Sequence, residues 1–225
     1  MKKTFFTGLL VALILVTIGV QGFAQNKKYS IYYYRRATLF EKLSVNSNDI
    51  VFLGNSITDG AEWNELFDNP NIKNRGISGD ITQGILDRIE PIVSGKPAKL
   101  FLMIGINDMS RSIEQDTIVG NIAKIIDAFQ SKSPDTKIYL QSILPVNDAF
   151  TNFKKHAACL KQVPEINKDI KKLAAKKKIT YIDLFPHFTN DSGIQLNESY
   201  TNDGLHLIGE GYLVWRDLIV DYVNE

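Results

Sequence analysis

Apolar residues along this chain gather in short dense runs, separated by longer stretches in which they recur every three or four positions. The runs DIVFLG (49–54), IKNRG (72–76), KLFLMIG (99–105), KIYLQSIL (137–144) and ITYIDLF (179–185) predict strands. Runs of this kind, apolar without strict alternation, suit strands covered on both faces, as in a parallel sheet. The intervening stretches 83–93, 117–130, 166–177 and 209–223 have helical spacing and are long enough to cross from one parallel strand to the next. The pattern YYYRRATLFEKL within 27–43 predicts a further helix near the start, ended by the turn-rich Asn46-Ser47-Asn48-Asp49. Such alternation implies an α/β fold in which helices cover both faces of a five-stranded parallel sheet.

The first residues follow a different pattern. Lys2 and Lys3 precede an apolar run from Phe5 to Val20, and Gly22-Phe23-Ala24 offers small residues where a signal peptidase would cut. Residues 1–24 are therefore expected to be a removable export signal, with 25–225 forming a single domain. An uncleaved anchor is the alternative, although the run is only about as long as the shortest spanning helices. Cleavage would leave no stable membrane insertion and would place the protein in the periplasm or outside the cell. Charge narrows the partners: 26 Lys and Arg against 25 Asp and Glu leave no basic excess to bind nucleic acid. Cys159 is the only cysteine, so no internal disulfide can form, and a buried apolar role suits it better than a reactive one. No cysteine and histidine spacing makes a zinc site, so neither metal nor cofactor is expected.

In an open α/β sheet ligands bind beyond the carboxyl ends of the strands, and here those ends are polar. The first strand runs into Gly54-Asn55-Ser56-Ile57-Thr58 and the second into Asn74-Arg75-Gly76-Ile77-Ser78-Gly79-Asp80. The third runs into Gly105-Ile106-Asn107-Asp108, and Asp203-Gly204-Leu205-His206 stands directly before the last helix. Each piece alone has an ordinary structural use as a helix cap or a turn. In this order and placement, FLGNSITDG, NRGISGDIT, IGINDMS and YTNDGLHL resemble the four blocks of the SGNH (GDSL-like) hydrolases. The resemblance spans nearly all of the chain after residue 24. It implies a flavodoxin-like three-layer α/β/α sandwich and a serine esterase. It also implies roles: Ser56 as nucleophile, His206 as base, Asp203 as its orienting acid, and an oxyanion hole from the Ser56 and Gly79 N–H groups with the Asn107 side chain. One position departs from the family, because Asn55 stands where the name motif has aspartate. Asparagine keeps the turn-forming hydrogen bonds of that position and loses only charge. A Gly-x-Ser-x-Gly elbow is missing, which argues against an ordinary α/β-hydrolase.

The chemistry agrees with these roles. A serine hydroxyl needs an adjacent base, the base needs a group that fixes its tautomer, and the tetrahedral oxyanion needs preorganised donors. His156 and His187 have no acid in a matching motif and are expected to be structural or exposed, and Trp63 and Trp215 are expected in the core. The expected substrate is a small-molecule or glycan ester. Exported members of the family often deacetylate glycans, so the resemblance implies short acyl groups on a carbohydrate. A lysophospholipase or thioesterase of the same fold is the alternative within the same chemistry, and a catalytically silent carbohydrate-binding protein is the alternative outside it. Short acyl groups also fit the lack of a long apolar insertion that could form a lid. The longest irregular stretch, 145–157, carries Phe150 and Phe153 among Asn147, Asp148, Lys154 and Lys155, and it can serve either as a mixed rim to the site or as an ordinary surface loop.

Overall fold

The computed structural model describes residues 28–225, so the expected export signal lies outside the described residues. No helix among the described residues is long and apolar enough to cross a membrane. The strands are β1 (Ile50–Gly54), β2 (Ile72–Gly76), β3 (Lys99–Met103), β4 (Lys137–Gln141) and β5 (Thr180–Ile182). They pair in parallel throughout, in the order β2-β1-β3-β4-β5. The helices are α1 (Ile31–Lys42), α2 (Ser56–Asp59), α3 (Trp63–Leu66), α4 (Thr82–Arg88), α5 (Glu90–Ser94) and α6 (Ile106–Ser110), followed by α7 (Gln115–Lys132), α8 (Lys154–Ala157), α9 (Val163–Lys177) and α10 (Gly209–Asn224).

β1 and β3 are buried at every position, as central strands of such a sheet must be. Phe52, Phe101 and Tyr139 share one register row, with ring centroids 4.8 and 4.6 Å apart. Trp63 of α3 stacks on Phe52 at 4.2 Å and meets Trp215 of α10 edge-on at 4.8 Å, so these helices cover that face. Both tryptophans are fully buried, as the sequence indicates. Alternation turns Val51, Leu53, Leu100 and Leu102 to the opposite face, where α4, α5, α7 and α9 pack side by side. Right-handed crossovers account for this division, since the chain turns one way from β1 to β2 and the other way from β2 through β5.

The structure departs from the sequence pattern in local ways. The helix expected over 83–93 is broken into α4 and α5 at Ile89, because Pro91 in the first turn of α5 cannot donate to the preceding turn and would clash with it. β3 stops two residues before its apolar run does, where Gly105 turns the backbone at φ +136° into α6. The irregular stretch 145–157 closes with the short helix α8.

Ser30 caps α1 by accepting from the Tyr33 N–H at 3.1 Å. The helix then buries Tyr33, Ala37 and Phe40 against Ile77, in the loop that follows β2. Phe40 lies beneath the guanidinium groups of Arg36, Arg75 and Arg88, 4.7, 4.9 and 5.9 Å from its ring centre. α1 is thereby fixed to the back of the segment that carries Gly79.

Candidate active site

The connection leaving β1 turns toward β2 and the one leaving β3 turns toward β4, so they diverge and open a crevice at the carboxyl ends of β1 and β3. Ser56 begins α2 immediately beyond β1. The Asn55 side chain caps this turn by accepting from the Ile57 N–H at 3.0 Å, so the asparagine does the turn-forming work of its position. As the first residue of α2, Ser56 has an N–H with no partner inside the helix.

The segment 201–208 brings the far end of the chain to this point. Asn147 N–H donates to Gly204 O at 2.9 Å, and Gly204 takes φ +82° where a Cβ would fall 2.6 Å from Asn147 O. Thr201 Oγ1 accepts from the Gly204 N–H at 2.9 Å. Thus folded back, His206 places Nε2 2.9 Å from Ser56 Oγ and Nδ1 2.8 Å from Asp203 Oδ2. Asp203 Oδ1 accepts from the N–H groups of His206 (2.8 Å) and Leu205 (2.9 Å). Burial pushes the Asp203 carboxyl up, but these N–H bonds and the imidazole outweigh it and hold the group below the ordinary aspartate range. A negative charge is therefore maintained behind the imidazole, leaving Nε2 free to accept the serine proton.

Gly79 sits in the loop after β2 at φ +78°, and its N–H has no partner among the described residues. The loop is tied down on every side. Ile77 N–H donates to Gly54 O at 3.2 Å, Ser78 N–H to Asp59 Oδ2 at 3.3 Å, and Arg111 Nη2 to Gly79 O at 2.7 Å. Asp108 receives the Thr82 N–H at 3.0 Å, and Asn107 Nδ2 donates to Asp80 O at 2.9 Å. Asp80 is fully buried against Arg88, 2.8 Å away, and Arg88 Nη2 also reaches Gly54 O at 3.2 Å. Burial raises the Asp80 carboxyl to about 6 against the opposing pull of Arg88. The structure thus joins Ser56, Asp203 and His206 in one hydrogen-bonded line, and joins Gly79 and Asn107 through the loop that both help to shape.

One residue of this region is missed by the sequence reading. His156, expected to be structural or exposed, is half-buried with Nε2 2.9 Å from Asn107 Oδ1. Phe153 packs edge-on to both His156 and His206, with ring centroids 5.6 and 5.0 Å away. The stretch 145–157 therefore borders the site. No acid stands near His156 in sequence, so only the resemblance of its loop to a rim pointed this way. His187 is exposed in a 3₁₀ turn after β5. Cys159 is buried, as expected, and burial raises its thiol. Among the described residues no group of three or more His, Cys, Asp or Glu is arranged to hold a metal ion.

Comparison with known proteins agrees with this fold. The family model of the GDSL-like lipase/acylhydrolase family matches residues 52–214. Human platelet-activating factor acetylhydrolase IB subunit alpha2 is 26% identical over 170 residues, covering 73% of this chain and 71% of that protein. The crystal structure of a GDSL-like lipase from Bacteroides thetaiotaomicron superposes with a TM-score of 0.74 at 27% identity, over 85% of this chain and 97% of that one. An acetylxylan esterase from Geobacillus stearothermophilus shares the fold, with a TM-score of 0.64 at 16% identity over 80% of this chain and 96% of that one.

Proposed function

The chain belongs to the GDSL-like lipase/acylhydrolase family, and from that premise we propose that it is a serine esterase working through an acyl-enzyme on Ser56. The observation that carries this reading is the line from Ser56 Oγ to His206 Nε2 (2.9 Å) and from His206 Nδ1 to Asp203 Oδ2 (2.8 Å). Asp203 keeps the imidazole proton on Nδ1. Ser56 Oγ attacks the ester carbonyl as Nε2 takes its proton. The N–H groups of Ser56 and Gly79 and the Asn107 amide receive the oxyanion. Collapse of the intermediate breaks the bond to the alcohol, which leaves with the proton from Nε2. Water then repeats the sequence on the acyl-enzyme and releases the acid.

The acyl group is short, acetyl foremost, and the alcohol is carbohydrate. Support for the acyl size comes from Phe153, whose ring packs edge-on against His206 at the site, and from the name of the acetylhydrolase relative. Support for the alcohol is the mixed polar and aromatic character of the bordering stretch. One feature offers room for a longer acyl chain, as in a lysophospholipase or thioesterase: a cavity of about 610 Å³ beside α6, whose lining mixes Met109, Ile118 and Ile166 with Arg111, Glu114 and Lys155. Hydrolysis of p-nitrophenyl esters from acetate to decanoate separates the two. The short-acyl reading expects kcat/KM to be greatest at acetate, whereas a maximum at octanoate or beyond selects the alternative. Ser56→Ala is expected to abolish turnover of every ester in the series with folding intact, and wild-type turnover in this variant would refute the mechanism.

The reading includes export. The mature protein is expected to begin at Gln25, which amino-terminal sequencing of the secreted fraction checks; recovery only of a chain starting at Met1 contradicts it.

A further inference from the structure

We infer that His156 is a positioning residue that locks the Asn107 side-chain amide with its N–H group facing the oxyanion, an inference that rests on the esterase reading. Asn107 is only 6% exposed, and both ends of its amide are engaged. Nδ2 lies 2.9 Å from Asp80 O and Oδ1 lies 2.9 Å from His156 Nε2. A peptide carbonyl can only accept, so the amide nitrogen must be the atom that faces Asp80. Oδ1 can then only accept, and the hydrogen between it and the imidazole must sit on His156 Nε2. A flipped amide would set oxygen against oxygen at Asp80.

One Nδ2 hydrogen is committed to Asp80 O, which leaves the second for the oxyanion. Rotation about the terminal torsion of an asparagine is otherwise soft, so a single bond at Nδ2 holds the group loosely. The bond from His156 closes the other end. His156 is itself held, because α8 presents it from the opposite wall and Phe153 packs edge-on against it at 5.6 Å. Burial, with further contributions from His206 and Arg111, pushes the His156 imidazole below its ordinary value, so the ring is neutral at neutral pH and carries one proton, on Nε2. No charge is then added beside the developing oxyanion.

The test combines activity with a signature that a merely structural histidine would not give. His156→Leu keeps bulk and removes the donor; it is expected to lower kcat for p-nitrophenyl acetate by about 10-fold, less than the 10²–10³ expected when an oxyanion donor is removed outright. KM should change by less than about twofold, because a donor to the oxyanion acts on the transition state. His156→Gln restores an N–H at similar reach and should recover most of the loss. In an Asn107→Ala background, His156→Leu should cost about twofold or less, since the residue acts through the amide. A full, multiplicative loss in that background, or wild-type kcat in the leucine variant, overturns the inference. Should the leucine variant not fold, ¹⁵N chemical shifts of the wild-type imidazole decide the matter: the neutral ring is expected as the Nε2–H tautomer, and an Nδ1–H ring rejects the bond. Ser56→Ala is measured alongside. Activity in that variant would count against the esterase reading, whereas the ring tautomer reports on His156 either way.

Discussion

At residue scale the site depends on a few backbone conformations as much as on side chains. Gly79 at φ +78° is the clearest case. A Cβ there would find Arg111 Nη2 no closer than 3.9 Å, so space is not the constraint. The constraint is the left-handed backbone, which costs a residue with a side chain roughly 1–2 kcal/mol. Gly79→Ala should therefore lose about that much stability in chemical denaturation and should also lower kcat, as the loop relaxes and its N–H turns away. Stability equal to wild type would show that the loop does not need this conformation. Ser56, Gly79, Asn107, Asp203 and His206, which the structure gathers at the crevice, could be singled out in the sequence, because each lies in a block whose strand-end position is chemically odd. His156 could not. Its partner, Asn107, is 49 positions away, and the bond exists only because α6 and α8 face one another across the site.

At the scale of elements, the loop after β2 is where packing and chemistry meet. Ile77 is buried under α1, Asp80 is buried against Arg88, and Arg88 in turn ties the loop to the end of β1. Removing one partner of a buried pair leaves the other charge uncompensated, so Arg88→Met should destabilise by about 3–5 kcal/mol. The pH dependence has a definite sign. A carboxyl raised to about 6 in the folded chain, from an ordinary value of 3.8, favours the folded state when protonated. That contribution is complete below the ordinary value and is lost as pH rises through about 6. With Arg88 gone the ionised form has even less support, so the penalty of Arg88→Met should be larger at pH 8 than at pH 5. Denaturation midpoints at the two pH values check this, and equal penalties would mean that Asp80 stays ionised throughout. Element identity came through the sequence well for the long helices and the strands, since burial imposes the periodicity. The break at Ile89 could have been anticipated from Pro91. The short helices α2, α3, α6 and α8 could not be placed from periodicity, because four or five residues are too few to show a period.

Across the whole molecule, one arrangement follows from another. Strand order places β1 between strands reached in opposite directions, which opens the crevice. The stack of Phe52, Phe101 and Tyr139 under Trp63 and Trp215 fixes α10 on one face. The segment before α10 can then bring His206 onto Ser56, 150 positions earlier in the chain. Fold class was readable because dense apolar runs alternating with amphipathic stretches admit few layered solutions. Substrate was not, because the alcohol is recognised by surface side chains whose grouping depends on how loops fold. Whether Ser56 is a nucleophile activated through His206 is decided by covalent capture. The active wild-type protein is treated with an aryl organophosphonate, and the modified residue is mapped by mass spectrometry. One adduct per chain is expected, on Ser56, formed in step with loss of esterase activity and much more slowly in His206→Ala. Inactivation with Ser56 unmodified and the adduct on another residue would contradict it.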